Sequence, residues 1–209
     1  MFFTKLNQKA HTIPNKTTHT IKDLIWNNGL TNTGRYLIAR MIYMDGLIIV
    51  MTTIGIFGTS VMGISISNII IVAILCNVSG AVGCYIFGIF FKNDKIVIII
   101  SLALLSAIII SMSVNTNPTV FIILAVLGTF FSGPLQSSSR VVMAKLIPDE
   151  MQGLGFGMFT FSGKATAFLG PLCAAAITFL FSQRIGFGFS IVLLLSGMLL
   201  MLKVSYQDN

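Results

Sequence analysis

The chain has 209 residues, of which 55% are hydrophobic and only 9% charged, and its mean hydropathy is +0.93, whereas a soluble domain carries about 25% charged residues. Such a composition excludes an ordinary soluble domain and reads as a polytopic membrane protein. The formal net charge of +7 is no nucleic-acid footprint, because the lysines and arginines flank apolar runs and form no basic face with interleaved aromatics.

Residues 1–20 are polar, rich in Thr, Asn and Lys and interrupted by Pro14, which predicts a mobile tail. No apolar stretch followed by a cleavage site occurs there, so the first span must itself direct insertion. Over residues 20–34, Ile21, Leu24 and Ile25 share a helical face beside Trp26; this stretch reads as either a short interfacial helix or a loop, with Trp26 suited to the headgroup level. Residues 1–34 together are taken as a cytoplasmic tail and interfacial segment.

Six apolar runs follow over residues 35–205, at about 36–60, 66–91, 95–114, 119–140, 153–181 and 185–203. Each approaches or exceeds the ~20 residues that a helix needs to cross a ~30 Å hydrocarbon core. The fold class is therefore an all-α bundle of six transmembrane helices. With the N-terminus inside, Lys5, Lys9, Lys16, Lys22, Arg35, Lys92, Lys95, Arg140, Lys145 and Lys203 fall on the cytoplasmic side, and Arg184 alone falls outside. Positive residues accumulate on the cytoplasmic side, so both termini are expected there.

Small residues mark helix packing and bending. Cys76, Gly80, Cys84 and Gly88 recur every four residues along the second span, a stripe that lets two helices approach closely. The remaining cysteine, Cys173, also lies in an apolar segment, so no disulfide framework, metal site or cofactor is expected. Gly133–Pro134 should bend the fourth span. In the fifth, Gly153, Gly155, Gly157 and the Gly170–Pro171 pair could mark a hinge, since broken spans surround many transporter sites.

The polar residues at membrane depth are the candidate site. Lys164 sits in KATAFLGP, ~16 Å into the fifth span at 1.5 Å per residue, close to the midplane. A charge at that depth costs roughly 2.5–3.5 kcal/mol even on the gentler scales, so it is a functional candidate by default. Its expected partner is Asp45 or the carboxylate of a substrate, and the two can exchange. Asp45 lies ~13 Å into the first span, too deep for its short side chain to reach the surface, and must be neutral, paired with Arg40 or Lys164, or facing water. Arg40 is only about four residues in and should snorkel to the cytoplasmic surface as an anchor. The fourth span ends in SGPLQSSSR, where Ser137–Ser139 can bond to backbone carbonyls, Gln136 is a cavity candidate and Arg140 is a headgroup anchor.

Nothing in the chain forms a catalytic set. His11 and His19 both lie in the tail, and there is no HExxH, phosphate-binding loop or dinucleotide fingerprint, so no enzyme is expected and transport would be secondary or powered by a partner.

Three local patterns, RYLIARMIYMDG at 35–46, FFSGPLQSSSR at 130–140 and FTFSGKATAFLGP at 159–171, resemble the seventh, tenth and eleventh spans of a major facilitator transporter. The similarity is to the branch holding the autophagy-related vacuolar amino-acid effluxer and its bacterial relatives, and it covers nearly everything from Gly34 onward. It implies two six-helix bundles around a central cavity, of which this chain supplies the C-terminal one, built from inverted three-helix repeats at 36–114 and 119–203. It implies gradient-driven efflux of amino acids or similar small solutes, a bacterial inner membrane, and polar site positions at Arg40, Asp45, Gln136, Arg140 and Lys164. The GIFFKNDK segment departs from the family's DxxGxK loop after the eighth span, which touches the usual gating contact. The first six spans do not occur in this sequence. A lone half would leave Asp45 and Lys164 facing lipid or each other, so the expected partners are the bilayer, a small solute, and a separate N-terminal half or else a second copy. The competing expectation is a non-transporting membrane remnant of a split or decayed gene.

Overall fold

The computed structural model describes residues 24–26 and 29–205. The predicted mobile tail at 1–20 lies outside the described residues. Leu24 and Ile25 have helical backbone, Trp26 pairs with Leu30 in an isolated bridge and is 56% exposed, and the first long helix begins two residues after Leu30.

Seven helices follow: α1 (Asn32–Ser60), α2 (Ile66–Phe90), α3 (Asp94–Val114), α4 (Pro118–Leu146), α5 (Gln152–Ser162), α6 (Leu169–Leu180) and α7 (Gln183–Leu202), with a 3-10 turn at Asp149–Met151. The described residues form no β-strand. Five of the helices are long and apolar enough to cross a membrane. α5 and α6 fall in the predicted fifth span and share it between them. The protein is an all-α, multi-pass integral membrane protein.

Local chemistry sets the ends. Thr31 caps α1, accepting from Gly34 N at 3.0 Å. Ser65, Asn93, Asn117 and Ser182 cap α2, α3, α4 and α7 in the same way. A second departure from the predicted spans is α4, which continues six residues past Arg140 to Leu146. Val142 and Met143 are buried there, and Lys145 makes a 3.0 Å ion pair with Asp94 at the start of α3. Arg140 is therefore not the end of its helix but lies ~9 Å short of it.

The core lies between α1, α3, α4 and α7, with Tyr36, Tyr43, Ile98, Leu102, Leu135, Met143 and Leu194 almost wholly buried. α1 and α7 pack where Gly46 faces the Ser190 backbone and Leu194, and where Gly197 faces Tyr43. At the far end Phe57 stacks on Phe121 and Phe187, with centroids 5.5 and 4.9 Å away. α2 is an outrigger: Gly83 and Phe87 are its only buried residues.

α2 holds to α4 through backbone contact. A side chain on Gly133 would strike the Gly80 backbone and Cys84 Sγ, and one on Gly80 would lie 3.3 Å from Thr129 O. The predicted stripe is thus used at Gly80 and Cys84, but Gly88 faces open space and its place is taken by Gly83, against the Phe130 carbonyl. That carbonyl is the one Pro134 leaves without a helical donor, because proline has no N–H for the residue four back. Gly83 lets α2 come close enough to cover it with a Cα–H.

Candidate functional site

The fifth apolar run contains a helix end and a helix start. Gly163 terminates α5, and Pro171 stands in the first turn of α6, where its missing N–H would have no partner anyway. The segment 163–168 between them runs through tight turns. Lys164 N and Ala165 N donate to Phe161 O at 2.9 and 2.7 Å, and Leu169 N donates to Thr166 O at 2.8 Å. Irregular backbone at membrane depth needs such internal partners. The break falls between the two glycine groups from which a hinge was expected.

Arg40 does not snorkel. It is 8% exposed and turns inward to the end of α5, where Nη1 donates to Phe159 O at 2.7 Å and to Ser162 Oγ at 3.0 Å. Its guanidinium carbon lies 3.5 Å from the centroid of the Phe159 ring, and any side chain on Gly163 would collide with it. A cation at a helix C-terminus meets the negative end of the dipole, worth typically 0.3–1 kcal/mol and up to about 2 when partly buried.

Asp45, five residues further along α1, meets the other side of the break. Thr166 Oγ1 donates to Asp45 Oδ1 at 3.1 Å, and Gly170, in the first turn of α6, packs on the Asp45 backbone and Cβ. An anion beside a helix N-terminus is the complementary favourable case. So the two intramembrane charges of α1 each hold one end of the broken span.

Neither expected ion pair is formed: Asp45 pairs with neither Arg40 nor Lys164, and among the described residues the one ion pair is Lys145–Asp94. The reason is positional. Lys164 belongs to the turn after α5 and is exposed, while Asp45 is occupied on the α6 side. Lys164 instead lines a cavity of about 340 Å³ between α1, α4 and α5, together with Arg40, Gln136, Ser139 and Arg140. Met44, Phe156 and Phe159 supply its apolar wall. Gln136 also borders a larger cavity of about 790 Å³, lined mostly by apolar residues of α1, α2 and α4. The sequence-predicted residues thus divide: Arg40, Gln136, Arg140 and Lys164 share one cavity, and Asp45 does not line it.

Two buried tyrosines support the site. Tyr36 OH donates to Ser139 O, and Tyr43 OH lies 2.8 Å from Ser139 Oγ, fixing α1 against α4 beside the cavity. Sequence reasoning passed over both, together with Ser162 and Thr166. The signal was present: Tyr36, Arg40 and Tyr43 are four and three residues apart and lie on one helix face.

The family model described as vacuole effluxer Atg22 like matches residues 13–208. The chain belongs to this family. Its closeness to transport proteins extends to an uncharacterized MFS-type transporter, YxiO, of Bacillus subtilis (strain 168), which is 26% identical over 161 residues. That alignment covers 76% of the chain and 37% of the relative, so this Atg22-like chain spans well under half the length of the protein it matches.

Proposed function

We propose that the chain acts as the C-terminal half of a major facilitator transporter, moving an amino acid or similar small solute outward along an ion gradient. The observation that carries the reading is the discontinuous fifth span: Arg40 and Asp45 hold its two ends from α1, and Lys164, which has no side-chain partner among the described residues, lines a cavity beside the break. Half-helix ends at the midplane are where secondary transporters place solutes and coupling ions. In this reading Gln136 and Lys164 contact the solute, Asp45 carries the coupling ion, and Arg40 and Arg140 support or gate. α1–α3 and α4–α7 are the two inverted repeats. Both termini are cytoplasmic, in a bacterial inner membrane, and a second six-span unit, from a separate N-terminal half or a second copy, closes the cavity.

The test is uptake and efflux of a panel of amino acids, dicarboxylates and inorganic phosphate in vesicles, comparing the chain alone, the chain with an N-terminal six-span half, and that pair carrying Lys164→Ala. Gradient-dependent flux in the pair that is lost with Lys164→Ala is the expected result. No flux in any combination, with insertion verified, would sink the proposal.

A further inference from the structure

We propose that the cavity between α1, α4 and α5 takes a small solute of net negative charge, a dicarboxylate or phosphorylated compound, in preference to a zwitterion. This inference rests on the transport reading of the same site and names its substrate class. Three cations, Arg40, Arg140 and Lys164, line the cavity, and no carboxylate among the described residues does. Asp45, the acid of α1, is engaged by Thr166 and stands beside the start of α6.

The donor capacity of those cations is largely unspent. Arg140 and Lys164 are exposed, and neither side chain makes a hydrogen bond or ion pair among the described residues. Arg40 is 92% buried, being 8% exposed; its Nη1 is committed to α5, whereas among the described residues Nη2 makes no hydrogen bond and Nε is buried without a partner. Like charges sharing one cavity repel, and an anion there neutralises them with charge-assisted hydrogen bonds. A neutral amino acid would bring its ammonium into the same positive field, with only Gln136, Ser139 and Thr160 as neutral side-chain acceptors. The volume, about 340 Å³, lies at the small end of the roughly 300–1,000 Å³ typical of ligand pockets. Met44, Phe156 and Phe159 can receive a short carbon skeleton.

A lipid headgroup phosphate offers the same chemistry, so the test separates the two sources. The full chain paired with the N-terminal six-span half in phosphatidylcholine nanodiscs is titrated by calorimetry with succinate, inorganic phosphate, leucine and choline, alone and with phosphatidylglycerol added. Lys164→Gln and Arg140→Gln remove exposed side chains that hold no hydrogen bond, so the fold should persist; Lys164→Arg keeps the charge. Succinate or phosphate should bind at least tenfold tighter than leucine, weaken roughly tenfold or more in each Gln variant, and persist in Lys164→Arg. If phosphatidylglycerol displaces succinate in wild type but not in Lys164→Gln, the cavity is an anion site that headgroups can also fill; without displacement the anion is a solute. Equal binding of leucine or choline, anion binding indifferent to both Gln variants, or no anion binding would overturn the inference. Anion binding without flux defeats the transport reading alone, and leucine flux without anion binding defeats this inference alone.

Discussion

Arg40 shows how far a single residue can be read from its depth. Counting from the expected start of the span placed it near the surface, and a long side chain near the surface should snorkel. Two facts invisible to that count reverse it: α1 begins at Asn32, so Arg40 sits ~12 Å in, and the end of α5 presents Phe159 O and Ser162 Oγ across the interface. Arg40→Lys should not be conservative, because a single ammonium cannot both reach the two acceptors and lie flat on the Phe159 ring. A loss of about 1–3 kcal/mol is expected in thermal or denaturant unfolding. Tyr43→Phe removes only the bond to Ser139, and interhelical bonds in membranes average about 0.6 kcal/mol, so its unfolding midpoint should fall by much less than that of Arg40→Lys. Lys164 and Gln136, by contrast, stand out in the sequence by depth and polarity, and both line the cavity between α1, α4 and α5.

At the level of elements, spans were legible because apolar length is a one-dimensional signal, and helix ends within the polar turns were set by caps next to them in sequence. The six extra residues of α4 and the break in the fifth span were not, since both depend on neighbours: Asp94 for Lys145, and Arg40 and Asp45 for the segment 163–168. Still, Gly163 followed by Pro171 has the order of a helix stop and a helix start, which a continuous 29-residue span would not require. The small-residue stripe was legible in kind and partly wrong in register, because it takes the Pro134-freed carbonyl to select Gly83. Ala substitutions separate the two registers. Gly83→Ala and Gly133→Ala meet backbone and should each cost about 1–3 kcal/mol by overpacking, whereas Gly88→Ala, facing open space, should leave the unfolding midpoint unchanged. Equal effects at all three glycines would refute the α2–α4 packing described here.

Across the whole molecule the charges sort by end. The ends of α2, α4 and α7 and the starts of α1, α3 and α5 gather Arg35, Lys92, Lys95, Lys145 and Lys203, and the opposite end holds Arg184, whose Nη1 donates to Ser113 O and Asn115 O at the close of α3. On the proposed orientation, a single cysteine at Asn115 in a background lacking Cys76, Cys84 and Cys173 should react in intact cells with a membrane-impermeant thiol reagent. One at Asn93 should react only after permeabilisation. The reverse pattern would invert the topology.

Whether the charges of α1 hold the broken span, with Lys164 unpaired among the described residues, is measured directly by a double-mutant cycle. Unfolding of wild type, Asp45→Ala, Lys164→Ala and the double variant is followed in the same lipid. Asp45→Ala should destabilise and Lys164→Ala should not, with the double variant matching the sum to within about 0.5 kcal/mol. A Lys164→Ala loss as large as that of Asp45→Ala, recovered in part by the double variant, would mean that the two residues form the ion pair this structure does not contain.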